Sequence, residues 1–396
     1  MRVDLLTREY PPKVYGGAGV HVTELAKVLR KRVDTRVRCF DGARFEDGVT
    51  GYDYIAELDG QNAALRTLGI DLLMTGDLEG ADIVHSHTWY ANLAGHLGHL
   101  LHDVPHVITA HSLEPLRPWK AEQLGGGYRL SCWAEETAYT GADAVIGVSR
   151  GMREDILRCY PQLDPDRVTV IHNGLDINEW VTPQSDVVSQ VQDKYGIVPD
   201  VPTIVFLGRI TRQKGLPHLL QALRQVPPDI QVVLCAGAPD TPEIESEVKG
   251  LVQQLRSTRD RIVWIGEMLP HSDVEAILAA ATVFVTPSIY EPMGIVNLEA
   301  AAMGLPVVGT DTGGIPDCIV DGETGYLVPI EQVKDGTGTP INPEKFHTDM
   351  AERLTTLATN PQLAEKMGQA GRERVIREFS WEVVADRLLE LYRSLL

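Results

Sequence analysis

Cysteine is scarce in this 396-residue chain, and what there is lies scattered. The five thiols, Cys39, Cys132, Cys159, Cys235 and Cys318, form no C-x-x-C pair. Their odd number and wide spacing argue against a disulfide framework or a cysteine-ligated zinc site, and they lead us to expect reduced thiols in a cytoplasmic protein. Long apolar runs are missing too. No stretch reaches the ~20 apolar residues that span a bilayer. The opening Met1-Arg2-Val3-Asp4-Leu5-Leu6 leads straight into a short apolar run without the form of a signal peptide. Positive charge is in deficit: 36 Lys and Arg against 55 Asp and Glu give a formal charge of -19. Nucleic acid and anionic membranes attract basic surfaces, so neither is expected as a partner. A small anionic ligand is not excluded, because a local Arg/Lys pair can serve one site. Repeats and low-complexity tracts are also absent.

What is present is a regular alternation. Short β-branched runs occur at Val3–Leu6, Arg36–Phe40, Ile83–His87, His106–Ala110, Ala144–Val148 and Val168–Ile171. A second set follows at Thr203–Leu207, Gln231–Cys235, Ile262–Ile265, Val283–Thr286, Val307–Thr310 and Tyr326–Val328. Helical patterns such as Val20–Leu29, Leu216–Leu223, Glu243–Arg256 and Asp273–Ala280 lie between them. This alternation predicts an α/β chain with parallel sheets covered by helices on both faces. The length suits two such domains. The stretch from Asn173 to Pro202 holds Pro183, Gly196, Pro199 and Pro202 and little apolar period, so the boundary is expected there. Two doubly wound, Rossmann-like domains would then face each other across a cleft, with ligands at their strand ends. Residues 334–343 read as a surface loop. The last helix, Trp381–Leu396, is amphipathic, with Val384, Leu388, Leu391 and Leu395 on one face.

The most informative segment is Glu291-Pro292-Met293-Gly294-Ile295-Val296-Asn297-Leu298-Glu299. Two carboxylates flank a glycine where a loop turns into an apolar helix, Ile295–Met303. Backbone N–H groups at a helix start are unpaired and carry partial positive charge, which suits an anion such as a pyrophosphate. Glu291 precedes that anion site and Glu299 lies about two turns beyond it. A hydrolytic acid/nucleophile pair is a poor fit. Eight residues of helix rise about 12 Å, whereas such carboxyls stand roughly 5–9.5 Å apart. Two binding roles, one sugar and one ribose, fit better than one shared reaction centre.

Other motifs sit at other strand ends. Gly16-Gly17-Ala18-Gly19 opens the first long helix, where glycines let a phosphate approach the backbone. The same residues nearly make a dinucleotide fingerprint, Gly17-Ala18-Gly19-Val20-His21-Val22, with Asp41 placed for a ribose, so an NAD-dependent oxidoreductase is an alternative. Val22 in place of the third glycine, and the gap after the strand, weigh against it. Arg209 and Lys214 share the loop Gly208–Gly215, and a guanidinium with an ammonium can neutralise a departing diphosphate. Arg212 is a further basic residue there. Thr312-Gly313-Gly314-Ile315-Pro316 either lines the same site or is only a tight turn. Histidines crowd the first half at 85, 87, 96, 99, 102, 106 and 111. His85 and His87 share a strand face, but no acid lies at a matching spacing, and no metal centre is expected. His111 ends a strand and can meet a sugar hydroxyl or be a structural residue.

In combination and in this order, these segments resemble the retaining nucleotide-sugar glycosyltransferases of the GT-B fold, glycosyltransferase family 4. The resemblance runs from Thr7-Arg8-Glu9-Tyr10-Pro11-Pro12 through Gly16–Gly19, His111, Gly208–Gly215 and Glu291–Glu299 to the final helix. The N-terminal and His85–Trp89 segments look most like the actinobacterial glycogen-synthase branch. The resemblance implies that Glu291 holds donor-sugar hydroxyls and Glu299 the ribose. Arg209 and Lys214 would bind the diphosphate, with backbone at Gly16, Gly17 and Gly294, Ile295 and Val296, and His111 would sit beside the sugar. Adenine would lie near Gly266-Glu267-Met268. The implied domains are 1–175 on the acceptor side, with 380–396 crossing back to it, and 176–379 for the donor. The implied reaction is metal-independent and needs no cofactor. It moves glucose from ADP-glucose into an α-1,4 link to glucose-1-phosphate or an α-glucan end. A mannosyl- or N-acetylglucosaminyltransferase acting on an inositol-type acceptor is the alternative within the fold. Self-association as a homodimer is compatible with the sequence. Two departures bear on the acceptor: Lys13-Val14-Tyr15-Gly16-Gly17 has one residue more than Lys-x-Gly-Gly, and His87-Thr88-Trp89 replaces His-Asp-Trp.

Overall fold

A computed structural model of the chain describes residues 1–117, 125–333 and 337–396. Its strands are short, and the central ones are buried on both faces. Ile83–His87 and His106–Ala110 have no exposed residue, as sheets covered by helices on each side require. The chain divides into two units, Met1–Gly174 with Trp381–Leu396, and Leu175–Ser380.

The first unit holds β1 (Arg2–Thr7), β2 (Asp34–Phe40), β3 (Val49–Tyr52), β4 (Ile83–His87), β5 (His106–Ala110), β6 (Ala144–Gly147) and β7 (Val168–Val170). They form one parallel sheet in the order β3-β2-β1-β4-β5-β6-β7. The doubly wound expectation holds, and the order reverses between β1 and β4. Strand β3 was not expected. Its Val-Thr-Gly-Tyr sequence carries little strand signal, and Gly51 is needed because a Cβ there would lie 1.8 Å from the Gly42 carbonyl oxygen. The final helix, Trp381–Leu395, buries Trp381, Val384, Ala385, Leu388, Leu389 and Tyr392 in the same core as Val22, Leu25 and Leu29 of helix Gly17–Leu29. The amphipathic face read from sequence is thus the one that anchors the chain end to the first unit, with Leu391 and Leu395 at its margin.

The second unit holds β8 (Thr203–Arg209), β9 (Gln231–Gly237), β10 (Ile262–Ile265), β11 (Val283–Thr286), β12 (Val307–Thr310) and β13 (Gly325–Val328). Their order is β10-β9-β8-β11-β12-β13, all parallel, with the reversal between β8 and β11. Phe206, Leu219, Leu220, Val232, Leu234, Val248, Val285 and Leu354 centre its core. The stretch 173–202 is less irregular than its composition suggests. It contains helix Ser185–Tyr195, which buries only Val191 and therefore shows little apolar period, and which ends on Gly196 at φ 70. The loop expected at 334–343 lies outside the described residues over 334–336. Beyond them Thr339 and Pro340 pair back onto Val333 and Gln332.

Candidate active site

In an open parallel sheet, ligands collect outside the carboxyl ends of the strands where their order reverses. In the second unit that point lies between β8, which ends at Arg209, and β11, which runs into the Glu291 loop. The two loops are laced together: the Ile289 N–H donates to the Gln213 carbonyl at 2.9 Å. Gly215 sits at φ 65, and a Cβ there would lie 1.9 Å from the Pro287 carbonyl oxygen. Only glycine allows this closeness.

Lys214 and Glu291 meet across this junction, Nζ to Oε2 at 2.6 Å. Glu291 is only 7% exposed, and Ser288 Oγ also donates to its Oε2, at 3.2 Å. The Thr312–Pro316 turn supports the same residue from behind. The Gly314 N–H donates to the Glu291 carbonyl at 2.8 Å, and a Cβ on Gly313, at φ 55, would lie 2.1 Å from that oxygen. The turn is therefore a buttress for Glu291. Arg209 goes elsewhere. It is well exposed and paired with Asp240, while Arg212 pairs with Glu247 at 2.7 Å. The basic loop thus holds cations with different partners.

The helix after Glu291 runs Ile295–Ala302. Gly294 precedes it at φ 83, and no side chain caps it. The first-turn amides of Ile295 and Val296 therefore start an uncapped helix, with Glu291 ahead of it. Glu299 is half-buried within the helix. Burial pushes its carboxyl up to about 7, and the Lys214 charge draws it partly back. Near neutral pH this carboxyl is therefore shared between its protonated and ionised forms, and either can bond hydroxyls.

In the first unit the crowded histidines separate into two kinds. His85 is structural: Nδ1 bonds the Tyr392 hydroxyl at 2.6 Å and Nε2 bonds Thr109 Oγ1 at 2.7 Å. His106 bonds Ser86, and His99 and His102 bond backbone carbonyls. His87 and His111 instead face each other, Nδ1 to Nε2 at 3.1 Å, with the His21 ring 4.7 Å from that of His111. Burial holds His21 down at about 4, and holds His87 and His111 well below the usual histidine range. All three imidazoles are therefore neutral. His21 Nδ1 and His87 Nε2 are buried without a partner among the described residues. One nitrogen from each ring lies within 4.8 Å of the others. Tetrahedral ligands at ~2.05 Å from a metal stand about 3.3 Å apart, and the 3.1 Å between His87 Nδ1 and His111 Nε2 is close to that.

His21 was missed from sequence. It is buried beside Val22 and Leu25 on the helix that Gly17 opens, and it was hidden inside the apparent dinucleotide fingerprint. Of the glycines there, Gly19 is a packing residue: a Cβ would lie 2.7 Å from Glu9 Cβ. Gly16 gives its N–H to Glu9 Oε2 at 2.8 Å. A Cβ on Gly17 would meet nothing within 4 Å, so that approach is open.

Residues 15–179 match the family described as Glycosyltransferase Family 4, and residues 188–374 match Glycosyl transferases group 1. Over its full length the chain is 53% identical to the alpha-maltose-1-phosphate synthase of Mycolicibacterium smegmatis, covering 99% of that protein. The chain belongs to the family 4 glycosyltransferases. The transferase is also 50% identical to the alpha-maltose-1-phosphate synthase of Mycobacterium tuberculosis, over all of this chain and 99% of that one. Among solved structures it shares its fold with a sucrose-phosphate synthase from Thermosynechococcus elongatus, with a TM-score of 0.76, 22% identity and coverage of 100% and 98%. The oxidoreductase alternative falls with this membership. No helix among the described residues of the transferase is long and apolar enough to cross a membrane.

Proposed function

We propose that this glycosyltransferase moves glucose from ADP-glucose to glucose-1-phosphate with retained configuration, giving maltose-1-phosphate, and that a glucan end is the lesser acceptor. The observation that carries this reading is the 53% identity, end to end, with a protein named alpha-maltose-1-phosphate synthase. The geometry of the second unit supports a donor site. The uncapped start of helix Ile295–Ala302 would receive the diphosphate. Lys214, held by Glu291, would neutralise charge on the leaving group. Glu291 keeps a carboxylate oxygen for sugar hydroxyls, and Glu299 would take those of the ribose.

In the reaction the donor C1–O bond to the diphosphate breaks and a C1–O4 bond to the acceptor forms on the same face. The acceptor hydroxyl proton passes to the departing diphosphate oxygen. His111 is half-buried, and desolvation holds it well below the usual histidine range, so it would hydrogen-bond the sugar without adding charge. The residues above supply this without a metal. The test is product analysis by mass spectrometry and proton NMR after incubation with ADP-glucose and either glucose-1-phosphate or maltotetraose. A new disaccharide phosphate with an α-1,4 link is expected. Release of no nucleotide with either acceptor would refute the reading.

A further inference from the structure

In the first unit the strand order reverses between β1 and β4, so the crevice outside their carboxyl ends is where that sheet is built to hold a ligand. Arg8 is the first residue beyond β1. Tyr90 lies in the first turn of helix Trp89–His102, which follows β4. The Arg8 guanidinium lies over the Tyr90 ring, 4.2 Å from its centroid. Among the described residues no carboxylate pairs with Arg8 and its side chain makes no hydrogen bond. Its Nε is buried without a partner. Arg44, Arg153, Arg259 and Arg372 are also at least half-buried without a carboxylate, but each donates to backbone carbonyls, whereas the Arg8 side chain donates to none.

The surroundings favour an incoming anion. Stacking on Tyr90 fixes the plane of the guanidinium and leaves its outer N–H groups in a fork that matches phosphate geometry. Helix Trp89–His102 brings its positive end to the same crevice with no side-chain cap. Thr88, just before it, is held at φ 66 and ψ 160, a conformation side-chain-bearing residues rarely adopt. The nearby acids are engaged. Glu9 Oε2 accepts the N–H groups of Tyr15 and Gly16, and Asp41 accepts the Tyr15 hydroxyl at 3.3 Å. Tyr15 itself feels the Arg8 charge.

We propose that Arg8, stacked on Tyr90, binds the phosphate of a sugar phosphomonoester acceptor and so selects that acceptor over an uncharged glucan end. This rests on the transferase reading above and names the residue that sets its acceptor class. Both departures from the glycogen-synthase pattern, in the Lys13–Gly17 loop and at Thr88, lie in the segments next to Arg8 in this unit.

The test uses the full chain with Arg8→Gln and Arg8→Lys. With saturating ADP-glucose, Arg8→Gln should raise KM for glucose-1-phosphate about 10- to 100-fold, the usual loss when a charged hydrogen-bonding partner is removed. The kcat at saturating acceptor and the KM for ADP-glucose should change far less. Arg8→Lys should recover only part of the affinity. The preference for glucose-1-phosphate over maltotetraose should fall in Arg8→Gln. Inorganic phosphate should compete with glucose-1-phosphate in the wild type and much less in Arg8→Gln. An unchanged KM and unchanged phosphate inhibition in Arg8→Gln, with its melting temperature intact, would overturn the proposal. Calorimetric titration of glucose-1-phosphate separates this from failure of the transferase reading. If the wild type binds the compound without turning it over, the reaction is wrong. Arg8 is then upheld by loss of binding in Arg8→Gln and refuted by its retention.

Discussion

Replacing Glu299 with glutamine should stabilise the protein while weakening its hold on the donor. The carboxyl is pushed from an ordinary value of 4.5 up to about 7, chiefly by burial, with Lys214 opposing. In the unfolded chain it titrates normally. Between those two values the native state keeps a proton that the unfolded state has released. Stability therefore falls as pH rises through this window and levels off above about 7. At ~1.36 kcal/mol per pH unit, the loss amounts to about 3 kcal/mol at pH 8. Glutamine fills the same space and has no charge to desolvate. Glu299→Gln should thus gain roughly 3 kcal/mol at pH 8, and most of this gain should be gone at pH 5. For a unit the size of Leu175–Ser380 this is a rise of roughly 6–12 °C in melting temperature. The assay is thermal unfolding followed by circular dichroism at pH 5 and pH 8, without ligand. Donor binding should move the other way. A carboxylate accepting ribose hydroxyls binds better than the protonated group, so wild-type affinity for ADP-glucose should improve from pH 6 to pH 8 with proton release. Glu299→Gln should bind more weakly, with a flatter pH profile. An equal stability gain at both pH values, or a loss at pH 8, would refute the desolvation argument.

Lys214→Met leaves the buried Glu291 carboxylate without its cation, and should cost about 3–5 kcal/mol near neutral pH and roughly 10²–10³ in kcat. Urea unfolding and steady-state rates check this, and Lys214→Met/Glu291→Gln should recover stability but not turnover. Gly313→Ala and Gly304→Ala both place alanine at positive φ, but only the first drives a Cβ into the Glu291 carbonyl. Measured kcat should therefore fall much further in Gly313→Ala, while each loses about 1–3 kcal/mol of stability. Tyr392→Phe removes the hydroxyl that bonds His85 and should cost roughly 1–3 kcal/mol, read as a lower melting temperature of the first unit.

The fold was legible because parallel strands covered on both faces are nearly continuous apolar runs. Ile262–Ile265, Val283–Thr286 and Val307–Thr310 have the same bounds in sequence and structure. Strand β3 was not, because its pairing with β2 depends on a close approach at Gly51 that only the fold creates. The final helix was legible as amphipathic. The hydrogen bond from Tyr392 to His85, 307 positions away, was not.

At the site, sequence located the residues better than their charge states. The spacing of Glu291 and Glu299 around Gly294 is local, and a loop-to-helix junction follows from it. Whether a carboxyl there is ionised depends on what buries it and which cation reaches it. Those are long-range facts: Lys214 lies 77 positions before Glu291 yet pairs with it, while Arg209, in the same loop as Lys214, is turned to Asp240. The two acids consequently differ in kind. Glu291 has a cation and a hydroxyl to hold its charge, and Glu299 has only the distant pull of Lys214 against its burial. A ligand that brings hydroxyls to Glu299 supplies the hydrogen bonds its carboxylate lacks, so donor binding and proton release from this side chain should be one event.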